Sequence, residues 1–421
     1  MSGETLASGS VDVAIIGAGA AGVGAARRLQ ALRPDLSLVL LEASDRIGGR
    51  ARTLHPVELG GIVIDLGCGW LHGARTNAWT GIAEEIGLTV DRTPAPWSEG
   101  GHQLERDAAD AKAVRIAAHE FFERIHAYDS EEDAALSALL AAGDPWNEYI
   151  HALGTFLTGA ELHRSSAIDQ SRYDPGPGPD WRVRQGYGTV VATYAAPVPV
   201  HTGTEVRRID HSAANHIVLS TAKGELRAKA VIIAVSTNVL AAEKITFWPP
   251  IPDKIEAASQ LPLGLANKLF LRMRTPEAFP ADAHLLGSYH SGRTGSYQLK
   301  PFGAPIIEAY FAGDLAHDLE REGIGAAFDF SVEQLKRVFG TSVEDILSPA
   351  VMSTWASEPF VGGSYSYAVP GASDLRQVLA GPHDQRLFFA GEACSVTRYS
   401  TAHGAYETGI AAAETIAKTM A

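Results

Sequence analysis

Gly17, Gly19 and Gly22 stand in the spacing G-x-G-x-x-G directly after the apolar run Val11 to Ile16. A core strand has no need of glycine at its end. The spacing instead allows a tight turn, close approach of an anionic group to the backbone, and close packing of the strand on a following helix. A helix that starts at such a turn offers unpaired N–H groups and the positive end of its dipole to a phosphate. Glu42 ends the next apolar run, where a carboxylate can accept from a ribose hydroxyl. The stretch "EASDRIGGRART" then sets Gly48, Gly49 and Arg50 just beyond it. A second glycine pair with an arginine can hold the other half of an extended dinucleotide, and a plain turn with a surface arginine is the alternative.

The elements that must position these residues follow from periodicity. Val11 to Ile16 and "LSLVLLEA" read as strands buried on both faces, and Ala20 to Leu32 reads as the helix between them, a βαβ unit. "AVIIAV" (Ala230 to Val235), "NKLFLRM" (Asn267 to Met273) and "RLFFAGEA" (Arg386 to Ala393) read as further strands, and "HGAYETGIAAAETIAKTM" as a closing helix. His102 to Ala142 reads as helical, with Ser130 and Asp133 as a capping box opening a second helix. "DPGPGPDW" and "WPPIP" break the pattern. On the alternating strand, Lys268 shares a face with Phe270 and Arg272, and pattern alone puts it on a wet face. A lone histidine such as His72 is on pattern alone a surface or core residue.

The composition bounds the rest. A chain of 421 residues suggests two domains. Its formal net charge of −14 and the lack of a basic stripe argue against nucleic acid, and the charge suits solubility or a mild attraction for cationic substrates. No apolar run is long enough to cross a membrane, and "MSGETLASGS" reads as a polar, disordered arm without signal-peptide character. Two cysteines, Cys68 and Cys394, make no disulfide framework and read as small packing residues in a cytoplasmic setting. No Cys/His spacing suggests a metal site, and none is expected.

Six motifs spread over most of the chain resemble the flavin-containing amine oxidases, the family of monoamine, polyamine and spermine oxidase. They are "GAGAAGVGAARRL", "LEASDRIGGRART", "DLGCGWLHG", "LGLANKLFLRM", "WASEPFVGGSYSY" and "LFFAGEACSVTRYSTAHGAYETGIAAA". The resemblance implies an α/β fold. Its Rossmann-like FAD-binding domain would be assembled from residues 1–75, 181–260 and 351–421, with an α+β substrate-binding domain from 76–180 and 261–350. It implies that Gly17, Gly19, Gly22, Glu42, Gly49, Arg50 and Arg52 bind FAD. Val206 matches the position that meets the adenine, Gly391 and Glu392 the segment near the ribityl chain, and Trp355, Thr401 and Ala402 the surroundings of the flavin ring.

The same resemblance reverses the reading of Lys268, which in the family holds a water against the flavin. It also raises His72, which matches a histidine of the polyamine and spermine oxidase branch; His403 more simply positions the last turn. Ser364 stands where covalently flavinylated members carry cysteine, which implies non-covalent FAD. Tyr365 matches one aromatic wall of the substrate site, and Thr401 replaces the other, leaving room for an extended chain. The expected reaction is oxidation of an amine, by loss of a hydride equivalent from its α-carbon, imine hydrolysis, and reoxidation by oxygen to give hydrogen peroxide. A polyamine or extended secondary amine is the expected substrate, with no nucleic-acid or membrane partner. A desaturase or protoporphyrinogen oxidase on the same scaffold, or a flavin-binding module without turnover, are the rivals.

Overall fold

A computed structural model of the chain describes residues 9–98, 101–104 and 108–420. The N-terminal arm expected over "MSGETLASGS" lies, but for its last two residues, outside the described residues. β1 (Ser10–Ile16), α1 (Ala20–Leu32) and β2 (Leu38–Leu41) form the expected unit. Val13 and Ile15 pack into one apolar cluster and Ala14 and Ile16 into another. Both parities of β1 are therefore buried, which is why the run is continuously apolar. The chain leaves α1 at Arg33, and Pro34, with no N–H to give, cannot extend it.

The first sheet collects strands from distant parts of the sequence. Its order is Thr246–Trp248, Val206–Asp210, Ile217–Thr221, Gly224–Ile233, β1, β2 and Val200–His201, with Leu387–Phe389 pairing the end of Gly224–Ile233. β1 runs parallel to both of its neighbours, and Leu387–Phe389 runs parallel to the end of the long strand. The C-terminal helix Ala402–Thr419 packs along α1. A second sheet has the order Leu347–Met352, Ala266–Met273, Ile306–Ala312, Ser296–Leu299, Ala283–Leu286 and His102–Gln103, and carries its own apolar cluster. The result is an α/β protein with a parallel-rich nucleotide-type sheet and a second, largely antiparallel one. Among the described residues, no helix is long and apolar enough to cross a membrane.

Two expectations for the 102–142 region are corrected. Among the described residues there, only Ala108–His126 is an α-helix; His102–Gln103 is a strand, and Leu136–Leu139 is one 3₁₀ turn. Ser130 and Asp133 open no helix. Ser130 Oγ accepts from the nearby Glu132 N–H, whereas the Asp133 carboxylate accepts from Ser166 Oγ at 2.6 Å, Ile168 N–H and Gly371 N–H. A short carboxylate serves local or distant donors equally well, and here three distant donors win.

Arg376 links the inserted helical segment to the sheet that bears Leu387–Phe389. It is wholly buried, donates from Nε and Nη2 to the two Asp169 oxygens at 2.7 and 2.8 Å and from Nη1 to Ser366 Oγ at 2.9 Å, and lies 3.7 Å from the centre of the Tyr399 ring. Removing one partner of such a pair leaves a buried charge uncompensated. Asp169→Ala is expected to lose about 3–5 kcal/mol of stability, read as a fall in the urea unfolding midpoint. A midpoint equal to that of the parent protein would show that Arg376 is satisfied without it.

Candidate active site

The glycine turn behaves as its spacing predicts, each glycine for its own reason. Gly17 has φ +100°, and a Cβ there would lie 2.6 Å from the Ala234 carbonyl oxygen. A Cβ on Gly22 would lie 1.9 Å from the Gly17 oxygen, so Gly22 serves packing and does not line the cavity. At Gly19 the nearest atom to an added Cβ is 4.0 Å away: the space is open on the cavity side. α1 has no side-chain cap and no acid in its first turn, which leaves its positive end uncompensated. Gly48 N–H donates to the Ala18 carbonyl, which sets the second glycine pair against the first turn.

Glu42 closes β2 with its carboxylate accepting from Ala18 N–H, Ser44 N–H and Ser44 Oγ, each at 2.8 Å. Thr204 N–H donates to the Glu42 carbonyl and brings the start of the Val206 strand alongside. Glu42, Gly49, Arg50 and Val206 all line one cavity of about 910 Å³, with Gly17 and Gly19. Arg50 donates to the Ser364 carbonyl at 2.7 Å and to Glu392 at 2.8 Å. Arg52 does not reach the wall: its nearest carboxylate is Glu358, 3.9 Å away, and its buried Nε has no partner. Arg46, from the same stretch, lines the cavity instead and donates to the Gly49 carbonyl at 2.7 Å. The pattern offers no way to choose between three nearby arginines; the turn at Gly48 and Gly49 makes that choice.

Farther along the cavity, the loops 355–366 and 391–402 converge with the Ala266–Met273 strand. Trp355, Gly391, Glu392, Thr401 and Ala402 line the wall. Trp355 donates from its ring to the Leu66 carbonyl at 3.1 Å. Ser364 both donates to the Ala266 carbonyl and accepts from the Ala266 N–H at 2.8 Å, so its hydroxyl is spent on joining two segments. Thr401 caps the last helix: its hydroxyl accepts from Gly404 N–H and donates to the Arg398 carbonyl, leaving it only acceptor capacity toward the cavity. His403 accepts from Asn77 at 3.3 Å, and burial lowers its pKa to about 4. Cys68 and Cys394 are free thiols pushed up to about 12 by burial, as inert packing groups are.

Lys268 is 7% exposed and lines the cavity, not a wet strand face. The whole strand is buried apart from Arg272, because the second sheet is covered on both sides there. Lys268 Nζ donates to the Asp65 carbonyl at 3.0 Å and to Glu308 at 2.8 Å. An ammonium has three donors, so one remains. Glu308 was not visible in advance. Its signal was a lone acid in the apolar run "IIEAYFA", and the strand register pairs it with Phe270, diagonal to Lys268.

Beyond Lys268 the walls turn aromatic. Tyr365 donates to the Phe156 carbonyl at 2.6 Å and shares a 2.7 Å hydrogen bond with Tyr310, and Tyr149 meets Tyr289 edge-on. His72 lies in this half, with Nδ1 3.2 Å from Asp180. So does His284, another residue that the pattern hides within an apolar strand. Burial lowers its pKa to about 4, Nε2 meets Ser296 Oγ at 2.8 Å, and Nδ1 has no partner. One cavity thus carries the glycine turn, the tyrosines and the Lys268 ammonium in its lining.

The sequence matches the family described as flavin containing amine oxidoreductase over residues 20–417. It is 32% identical to polyamine oxidase 2 of Arabidopsis thaliana, over 98% of this chain and 89% of that protein. It is 34% identical to polyamine oxidase 3 of Oryza sativa subsp. japonica, over 95% of this chain and 88% of that protein. The fold is similar to that of cyclohexylamine oxidase from Brevibacterium oxydans IH-35A, with a TM-score of 0.78 at 20% identity over 97% and 99% of the two chains.

The Lys268–Glu308 pair makes stability depend on pH. Burial raises the Glu308 carboxyl pKa, but Lys268 and then Arg182 outweigh it and hold the group below its usual range. A carboxylate with a depressed folded-state pKa contributes stability above its unfolded pKa of about 4.3 and loses it as pH falls through the folded value. Glu308→Gln is therefore expected to unfold at a lower temperature than the parent protein. The gap should hold from about pH 7 to pH 5 and shrink below about pH 4.3. A gap that is constant down to about pH 3.5 would contradict the coupling.

Proposed function

Because the chain belongs to the flavin containing amine oxidoreductase family, we propose that it oxidises a polyamine or another extended secondary amine, with oxygen as electron acceptor and hydrogen peroxide as product. FAD is its cofactor, bound non-covalently, and when bound it supplies the hydride acceptor. The residues present fit such a group. The open side of Gly19 and the uncapped, acid-free start of α1 suit a pyrophosphate, and Ser364 offers no thiolate and has its hydroxyl engaged.

In this reading residues 1–75, 181–260 and 351–421 hold FAD, and 76–180 and 261–350 shape the amine site. Gly17, Gly19 and the α1 N-terminus receive the pyrophosphate, Glu42 a ribose hydroxyl, and the Val206 backbone the adenine. Gly22 acts through packing. Gly49, Arg50 and Arg46 line the middle, and Arg52 acts through its neighbours there. Gly391 and Glu392 form the segment beside the ribityl chain, and Trp355, Thr401 and Ala402 flank the ring. Glu392 acts mainly through Arg50, since its oxygens are occupied by Arg50, Ser366 and Ser400.

The observation that carries the reading is the single uncommitted donor of Lys268, buried in the lining of the cavity that also carries the glycine turn and the tyrosines. It can hold a water at the reacting carbon and hand it on to the imine. Tyr365 and Tyr310 fix one wall and exclude bulk water, while Thr401, short and acceptor-only, leaves space and can receive an N–H from the amine. His72, paired with Asp180, lies where a second nitrogen of an extended amine can reach. Support for a polyamine comes from the plant relatives and from the net charge of −14, which attracts cations. The cytoplasmic setting is supported by two unpaired cysteines.

Lys268→Met keeps the chain length and removes the donors. FAD content should stay near one per chain while kcat falls roughly tenfold or more, the effect of losing about 1.4 kcal/mol. An unchanged kcat would remove Lys268 from the reaction. For the substrate, peroxide release from spermidine, spermine and N-acetylated polyamines is expected to exceed that from benzylamine and tyramine in kcat/KM. A preference of about tenfold for either aromatic amine would overturn the polyamine reading, and no peroxide from any amine would favour a flavin-binding module.

A further inference from the structure

Away from the cavity, three ligand-type side chains meet at the edge of the first sheet. His211 follows the Val206–Asp210 strand, and His383 and Asp384 precede Leu387–Phe389. Nothing in their sequence spacing brings them together. In space His211 Nδ1, His383 Nε2 and an Asp384 carboxylate oxygen all lie within 4.8 Å of one another. His211 Nδ1 is 3.8 Å and His383 Nε2 3.5 Å from Asp384 Oδ2, and the two imidazole rings stand nearly perpendicular at 5.4 Å.

The cluster is built rather than casual. His211 is 3% exposed, and its Nε2 lies 2.8 Å from the Pro249 carbonyl. A carbonyl oxygen only accepts, so Nε2 carries a proton, and Nδ1 is the ring nitrogen turned toward Asp384. A backbone carbonyl on the other ring nitrogen is the arrangement that orients metal-ligating histidines. The turn that carries the other two groups is held as well. His383 and Leu387 exchange both backbone hydrogen bonds, and Asp384 and Gln385 adopt left-handed φ values of +50° and +54°. Such values cost free energy for residues other than glycine and fix where Asp384 projects. From the same turn, Arg386 donates to the His211 carbonyl at 2.8 Å and to the Ala213 carbonyl. The two segments are thus fastened together by groups that are not themselves ligands.

Two imidazole nitrogens approach one carboxylate oxygen to 3.5–3.8 Å, a separation that a single cation between them can bridge. In a tetrahedral site with bonds of about 2.0–2.1 Å the ligand atoms stand about 3.3 Å apart, so the two distances to Asp384 need to close by only a few tenths of an ångström, while all three ligand atoms draw together from within 4.8 Å. Two imidazole nitrogens and one carboxylate oxygen select a borderline transition metal over Mg²⁺ or Ca²⁺, and a water completes four-coordination. We infer that His211, His383 and Asp384 form a binding site for one Zn²⁺-class divalent cation, which clamps the loop after Val206–Asp210 to the turn before Leu387–Phe389. The site is structural. None of its residues lines the cavity, and the clamp stabilises the folded protein by binding it and not the unfolded chain.

The test uses untagged, FAD-loaded protein dialysed against EDTA and then freed of chelator. Titration with ZnCl₂ in a calorimeter should give one site per chain, and MgCl₂ none. The partly exposed pair His383→Ala/Asp384→Asn spares buried His211 and should bind Zn²⁺ at least tenfold more weakly. Saturating Zn²⁺ should raise the unfolding temperature of the parent protein and not of this variant, with amine oxidation unchanged in both. Absence of stoichiometric binding by the parent protein, or equal Zn²⁺ affinity in parent and variant, would overturn the site.

Discussion

A buried carboxylate has to be answered, and at Glu392 the answer organises the site. The side chain is almost fully buried, which by itself opposes its charge. Arg50, the Ser366 hydroxyl and amide, and the Ser400 amide all donate to it. Burial raises its pKa, yet Arg50 first among the opposing groups holds it below the usual range. Each partner comes from a different segment: the second glycine pair, the Ser364–Ser366 loop, and the entry to the last helix. Ser366 also accepts from Arg376, whose charge is met by Asp169 in the helical insert. One chain of alternating charges therefore runs from the glycine turn to the Ala167–Ser171 helix, and no link can be removed without stranding the next.

Lys268 is held by a second, shorter version of the same logic. Its ammonium is offset by Glu308 on the adjacent strand and by the Asp65 carbonyl from the segment that follows the glycine pair. The Asp65 carboxylate is itself fixed by Thr53 Oγ and Tyr187 N–H. The lysine therefore joins the second sheet to the short Ile64–Asp65 strand. Its position is set by the ladder register with Glu308 on one side and by the Asp65 carbonyl of the Ile64–Asp65 strand on the other. A donor anchored from two directions loses little freedom when it holds a water, which is what a positioning role needs.

The aromatic half is fixed by hydroxyls that face inward to protein rather than to ligand. Tyr365, Tyr310 and the Phe156 carbonyl close on one another, so the rings offer faces and edges to the cavity while their polar ends are spent. Few polar groups on that side keep unfilled capacity or meet only each other: the Nδ1 of His284, the His72–Asp180 pair, and the acceptor side of Thr401. A mostly apolar wall with sparse polar points orients a long, flexible amine without paying to desolvate many charges.

What the sequence by itself determined was local. β1, the glycine turn, α1 and β2 were legible because a β-branched run, a turn that only glycine tolerates and a small-residue helix each have a signature within a few residues. The last helix and the strand before Gly391 were legible for the same reason. Tertiary structure alone decided the rest. Lys268 sits on a strand whose alternation suggested a wet face, and only the covering of the second sheet buried it. Arg46 rather than Arg52 reached the cavity because of how the chain turns at Gly48 and Gly49. Asp133 gave up a local cap for Ser166 and Gly371, and His211 met His383 through the pairing of distant strands. In each case the deciding partner lies far along the chain, and a short window of sequence records a residue's own preferences but not the group that will face it.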